Sequence, residues 1–178
     1  MKKSVSVLGF IGMVSLLLTA CGGGGDKGPL LPPPPVPAAY ADKHMPEGWW
    51  TDPKIIEEGK AIFKGEHNID VNCASCHGKD GKPVKRGARD FRQQARMSMY
   101  SDSYWFWRIS EGVPKTKMKP WKEKLKEEEI WKVIAYEHTF SHGGQPAPHD
   151  DYKGPGEPAT ASGGDESGEA APASEGGE

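Results

Sequence analysis

Cys73-Ala74-Ser75-Cys76-His77 is a C-x-x-C-H run, and its spacing is that of the covalent attachment sequence of a c-type haem. Two thiols separated by two residues can each add to a vinyl group of one porphyrin, and the histidine that follows is held beneath the iron as its proximal ligand. On this reading Cys73 and Cys76 are thioether anchors and His77 is an axial ligand of one covalent haem c. Half of a zinc site is a competing reading. Zinc needs two more partners at finger or ribbon spacing, and the only other cysteine, Cys21, lies far upstream. A thioredoxin-like redox pair would expect a βαβ pattern, which is missing around the motif.

Upstream, Met1-Lys2-Lys3 and the apolar run Val7 to Leu18 have the charged and apolar regions of a secretory signal. The run is short of the roughly 20 residues that a transmembrane helix needs. Leu18-Thr19-Ala20-Cys21 resembles the lipobox of bacterial lipoproteins, which predicts residues 1–20 as signal peptide and Cys21 as the lipid attachment site. An ordinary secretory signal cut nearby is the alternative. Both readings export the chain, as bacterial haem attachment requires. The expected location is the cell envelope, lipid-anchored and facing the periplasm.

Gly22 to Gly25, Pro32 to Pro35 and Pro37 follow, a composition that reads as a flexible and then stiffer spacer, so residues 21–48 are predicted to be a tether. At about 3.1 Å per extended residue this stretch would reach on the order of 80 Å. From Gly143 the chain again becomes rich in Gly, Pro, Ala, Ser and Glu, and residues 143–178 read as an acidic disordered tail. The span 49–142 is left as the folded domain, small enough that a protein core alone would be marginal and a haem would supply the missing apolar centre. The formal net charge of −2 conceals a basic domain joined to an acidic tail.

Three segments of the domain read as helices. Asp52-Pro53 offers an N-cap and a proline at N1, followed by Ile55, Ile56, Gly59, Ala61, Ile62 and Phe63 at helical spacing. Ser101 to Ile109 forms an aromatic helix ended by Gly112. Leu125 to Phe140 carries Glu127, Glu128 and Glu129 in its first turn and Ile130, Trp131, Ile134, Ala135 and His138 on a repeating stripe. No alternating strand pattern stands out, so the predicted class is all-α.

A six-coordinate electron carrier needs a second soft or nitrogen ligand, and a methionine thioether favours ferrous iron and raises the potential. Met118 is the best candidate, in the Pro-punctuated loop Gly112-Val113-Pro114-Lys115-Thr116-Lys117-Met118-Lys119-Pro120-Trp121. Packing into the core is the bland alternative for this residue. Met97 and Met99 are weaker candidates. His138 and His142 raise a bis-histidine alternative, although a histidine there reads better as a helix-end or tail residue.

The chain from Ile55 to Phe140 resembles a class I monohaem cytochrome c. Gly59 and Phe63 on the first helix and Trp131 and Tyr136 on the last match the family's crossing of N- and C-terminal helices. Asp90-Phe91, Tyr104 to Ile109 and Gly112-Val113-Pro114 before Met118 look like a bacterial branch found as free periplasmic carriers and as haem domains of larger assemblies. The resemblance implies the cytochrome c fold, His77 and Met118 as axial ligands, Cys73 and Cys76 as anchors, and Trp105, Trp107 and Trp121 as haem-pocket packing. Lys119 stands where the family usually has proline, and Lys82 to Arg86 is shorter and more basic than usual. A backbone carbonyl is expected to accept the Nδ1 proton of His77, with Pro83 the provisional choice.

Lys115, Lys117, Lys119, Lys122, Lys124 and Lys126 surround the Met118 loop, which in this family borders the exposed haem edge. A solvated face is the plain reading of such a run. Beside an electron exit it would steer the domain towards redox proteins with acidic docking surfaces. Nucleic acid is not an expected partner. The expected function is that of a membrane-tethered carrier of single electrons, not itself an enzyme. The alternatives are a haem subunit of a membrane-bound respiratory or nitrogen-cycle oxidoreductase and an open-site haem enzyme or sensor.

Overall fold

The computed structural model describes residues 29–148. The signal peptide, Cys21 and most of the acidic tail lie outside the described residues. The elements are α1 (Ala38–Ala41), α2 (Pro53–Phe63), α3 (Ala74–His77), α4 (Gln94–Met97), α5 (Asp102–Glu111), α6 (Glu127–Thr139) and a 3-10 turn over Phe140–His142. Among the described residues there are helices and no strands, as the all-α reading expects. No helix among them is long and apolar enough to cross a membrane.

Helix starts follow local chemistry. The Asp52 carboxylate accepts from Lys54 N at 2.8 Å and Ile55 N at 3.3 Å, with Pro53 next in the first turn. Ser101 Oγ accepts from Tyr104 N at 3.2 Å to cap α5. At the start of α6 the Glu129 carboxylate accepts from Lys126 N at 2.8 Å, and three glutamates face the positive end of the helix dipole.

α2 packs across α6, and Gly59 sets how closely. A Cβ at this position would lie 1.9 Å from the Lys132 carbonyl oxygen, so only glycine lets the two backbones meet. Around this crossing Phe63 packs edge-on against Tyr136 at 5.4 Å, and Phe106 lies 4.5 Å from Trp131 on the α5 side. Phe63, Val133 and Ile134 are fully buried.

The packed unit extends beyond both ends of the 49–142 span. Part of the expected tether is docked on the domain: α1 lies against α5, and Met45 is buried. Met45 N and His44 Nδ1 donate to the buried Asp102 carboxylate at 2.9 and 3.1 Å, Lys43 pairs with Glu127 at 2.7 Å, and the Tyr40 hydroxyl donates to Glu111. Proline content drew the boundary at 49, but Tyr40 and Met45 carry enough apolar surface to hold the intervening chain down. At the other end Gly144 N donates to Thr139 O at 2.8 Å, and Ala147 is fully buried.

Candidate haem site

The C-x-x-C-H run forms the single turn α3, with Cys73 at its N-cap. His77 N donates to Cys73 O at 2.9 Å, and a spacing of three residues along one turn sets both thiols on one face. Asn72 braces the turn: its side-chain oxygen accepts from Ser75 N at 2.9 Å, and its carbonyl accepts from Ser75 Oγ at 2.7 Å. Both cysteines are free thiols. Burial, reinforced by the nearby Glu137 charge, pushes the Cys73 thiol far above the ordinary range.

The loop after the motif folds back over it. Val84 N and Lys85 N both donate to Cys76 O, at 3.0 and 3.2 Å. Gly78, at φ 77°, lies so close to Lys82 that a Cβ would be 2.0 Å from its carbonyl oxygen. This folding presents Arg89, not Pro83, to the histidine: His77 Nδ1 donates to Arg89 O at 3.3 Å. The sequence-based choice of Pro83 is corrected by a loop whose return point lies further along the chain. Phe91 then stacks on the imidazole, with 4.5 Å between ring centroids and 13° between planes. Burial lowers the His77 pKa, partly offset by the Arg89 carbonyl, so the ring is held neutral with Nε2 available as a ligand atom.

Asp90 is fixed between these two contacts by a fork to Arg92, with oxygens 2.9 and 2.7 Å from the guanidinium nitrogens. The guanidinium holds the carboxyl below its usual range.

Met118 lies half-buried against the core in a closed loop. Val113 N donates to Met118 O at 3.0 Å, Met118 N donates to Thr116 Oγ1 at 3.1 Å, and Trp121 N reaches back to Ile109 O and Ser110 O at 3.1 Å. Gly112 makes the closure possible. Its φ is 70°, and a Cβ there would be 2.5 Å from Met118 O. These bonds fix the path of the loop despite Lys119 in the usual proline position.

The other candidates fall elsewhere. Met97 is fully buried on α4, and Met99 is partly buried beside it. His138 lies in the last turn of α6, as the helix-end reading expects, but faces inward. It is fully buried on α6, its Nδ1 donates to Ile134 O at 2.8 Å, and its ring meets Trp50 and Trp105 edge-on at 4.8 and 5.4 Å. Burial holds its pKa down at about 3. His142 lies on the 3-10 turn, half-buried, with its Nδ1 3.2 Å from His138 O. Of the three tryptophans, Trp105 is buried and packs against Phe91, whereas Trp107 and Trp121 are partly exposed.

These residues fit a covalent tetrapyrrole. One turn offers two half-buried free thiols and a buried, neutral imidazole. One aromatic ring further in, the buried Trp105 indole N–H has no hydrogen-bond partner among the described residues, which is the donor a buried carboxylate-bearing group would satisfy. Among the described residues no three His, Cys, Asp or Glu side chains converge into a metal-holding group, and the zinc reading gains no support. Sequence reasoning missed Glu137, buried within electrostatic reach of Cys73. Its signal was present: Glu137 continues the apolar stripe of Ile130, Val133 and Ile134 along α6.

Residues 55–136 match the family model described as cytochrome c oxidase, cbb3-type, subunit III. Comparison with curated proteins gives no match. Among solved structures, the KustC0563 c-type cytochrome is 31% identical over 46% of this chain and 95% of its own, with a TM-score of 0.40. Cytochrome CL from the marine methylotrophic bacterium Methylophaga aminisulfidivorans is 20% identical over 52% of this chain and 57% of its own, with a TM-score of 0.42. A chain of the Kuenenia stuttgartiensis reducing HAO-like protein complex is 21% identical over 50% of this chain and 44% of its own, with a TM-score of 0.42. The family match and the identity to the first of these agree with the C-x-x-C-H turn. The chain belongs to the c-type cytochromes, with a monohaem, class I-like, all-α domain that carries covalent haem c and transfers electrons through it.

Proposed function

We propose that the protein is a one-electron carrier, held at a membrane outside the cytoplasm by a lipid on Cys21. Cys73 and Cys76 carry the haem, and His77 and Met118 are its axial ligands. The observation that carries this reading is the turn at residues 73–77, where two free thiols precede an imidazole oriented by Arg89 O and Phe91. The haem supplies the Fe(II)/Fe(III) couple. The chain's own residues hold His77 neutral and oriented, keep the Met118 loop closed and exclude water from the interior.

Partner choice rests on the lysines of the Met118 loop. Lys122 pairs with Glu111 at 2.8 Å and Lys124 with Asp70 at 3.4 Å. Lys115, Lys117 and Lys119 are exposed and form no ion pair among the described residues. With Lys126, likewise exposed and in no ion pair among the described residues, these are the loop cations available to an acidic redox partner.

A second reading, the haem subunit of a membrane-bound oxidoreductase, is favoured by the docked segment around α1. With chain from about Val36 onward packed on the domain, the spacer after Cys21 is cut to about 50 Å of extended reach, which suits a subunit seated beside its partner.

The test is the optical spectrum of the haem-loaded protein in both oxidation states, for wild type and Met118→Ala. A near-infrared sulfur-to-iron band in the ferric wild type, lost in the variant, supports His/Met ligation. A wild type without that band refutes Met118 as ligand. Copurification with an oxidoreductase in mild detergent would favour the subunit reading over the free carrier.

A further inference from the structure

Between Gly112 and Trp121 the chain has little to hold it down. From Pro114 to Pro120 every residue is exposed except Met118, which packs against the core. A loop with so few apolar contacts opens at low cost. Its closure depends on the hydrogen bonds it makes within itself and, in the haem-loaded protein, on the Met118 sulfur.

Those bonds converge on Val113 and Thr116. Val113-Pro114-Lys115-Thr116 is a turn closed by Thr116 N, which donates to Val113 O at 3.2 Å. Proline at the second position presets the turn, and a positive φ at the third position is the place for glycine. Lys115 stands there instead, at φ 61°, and is the only non-glycine residue with positive φ among the described residues. Its Cβ makes that left-handed conformation a strained one. The strain lies just ahead of Met118.

The Thr116 hydroxyl works against it. Oγ1 donates to Val113 O at 2.8 Å and accepts from Met118 N at 3.1 Å, a donor and an acceptor role that one hydroxyl fills together. A single side-chain atom therefore ties the closed turn to the backbone of Met118. From the other side Val113 N donates to Met118 O at 3.0 Å, so both backbone polar groups of Met118 are held within the loop.

We propose that Thr116 is the positioning residue for the second axial ligand: its hydroxyl clasps the loop closed against the strain at Lys115 and so sets how readily the Met118 sulfur gives way to a small incoming ligand. This deepens the carrier reading and rests on its assignment of Met118. In the exchange the sulfur–iron bond breaks, the loop lifts, and a neutral nitrogen donor bonds to the iron in its place, with no change of oxidation state.

The test follows imidazole binding to the ferric, haem-loaded full chain through loss of the near-infrared sulfur-to-iron band. Imidazole is used in its neutral form, so that changes in lysine charge do not steer it. Thr116→Val keeps the shape of the side chain and removes the hydroxyl, and it should bind imidazole about three- to tenfold more readily than wild type. Thr116→Ser should return the affinity and rate close to wild type. Lys115→Gly relieves the strain and should make exchange several-fold less favourable.

Wild-type behaviour in Thr116→Val, with the band intact before imidazole is added, overturns the proposal and leaves the carrier reading standing. Thr116→Ser behaving like the valine variant overturns it by removing the hydroxyl from the account, and unchanged exchange in Lys115→Gly overturns it by removing the strain. A wild type without the band at the outset strikes the assignment of Met118 itself, and the proposal falls with it.

Discussion

The imidazole of His77 lies flat on the ring of Phe91, with 4.5 Å between centroids and 13° between planes. The two residues are far apart in sequence, and the backbone between them supplies the Arg89 carbonyl that accepts the Nδ1 proton. One returning loop therefore sets both the rotation of the imidazole about its bonds and its tautomer.

Phe91→Ala should loosen that orientation. Phe91 is 3% exposed, and removing a buried phenyl ring costs about 3–5 kcal/mol. Chemical denaturation of the haem protein should show a lower midpoint, and the ferric haem spectrum should broaden as the histidine gains freedom. Phe91→Leu should recover most of the stability but not the stacked geometry.

The docked segment around α1 is testable by proteolysis. Asp102→Ala leaves Met45 N–H without its carboxylate acceptor and removes the bond from His44, a loss of about 1–3 kcal/mol where a buried donor is stranded. Limited proteolysis should then cut between residues 37 and 48 several-fold faster than in wild type. An unchanged cleavage rate would show that Tyr40 and Met45 hold the segment without Asp102.

Charge reversal should separate the two sets of lysines. Lys115→Glu, Lys117→Glu and Lys119→Glu together should slow electron transfer to an acidic partner at low salt and flatten its ionic-strength dependence. Lys122→Glu and Lys124→Glu should do less to the rate, because those two are already paired with Glu111 and Asp70. Stopped-flow rates across a salt series decide the matter, and equal effects of the two sets would refute the distinction.

Stability should depend on pH through two adjacent buried groups on α6. His138 is held neutral, with its pKa lowered from 6.5 to about 3. The unfolded chain binds a proton there that the folded chain refuses, so stability falls as pH drops below 6.5. Glu137 is raised from 4.5 to about 8; the folded chain keeps a proton that the unfolded chain has lost, and stability falls as pH rises through that interval. Between 4.5 and 6.5 the two slopes oppose each other, which predicts a stability plateau with a decline on either side. Glu137→Gln should remove the decline above pH 6.5, worth about 1.4 kcal/mol per pH unit for one proton. Denaturant titrations at several pH values measure it.

The three main helices were legible in the sequence because their signals are local. Asp52-Pro53, Ser101 and the glutamates after Lys126 cap or charge helix ends within a few residues. Gly59 and Phe63 stood out through a family resemblance, and the structure shows the reason for the glycine in the Lys132 carbonyl above it. The docking of the chain just before Trp49 was not legible, because proline and glycine dominate the composition there, while the attachment depends on Asp102 and Glu111, which lie more than fifty residues away.

The sequence by itself determined the covalent chemistry. Cys73, Cys76 and His77 need only their mutual spacing to fall on one turn, and that spacing defines the haem attachment motif. Tertiary structure alone decided that Arg89 rather than Pro83 orients His77 and that Asp102 and Glu111 hold the chain before Trp49. Spacing is a property of neighbours along the chain, whereas burial and hydrogen-bond choice are set by segments that meet only once the chain has folded back on itself.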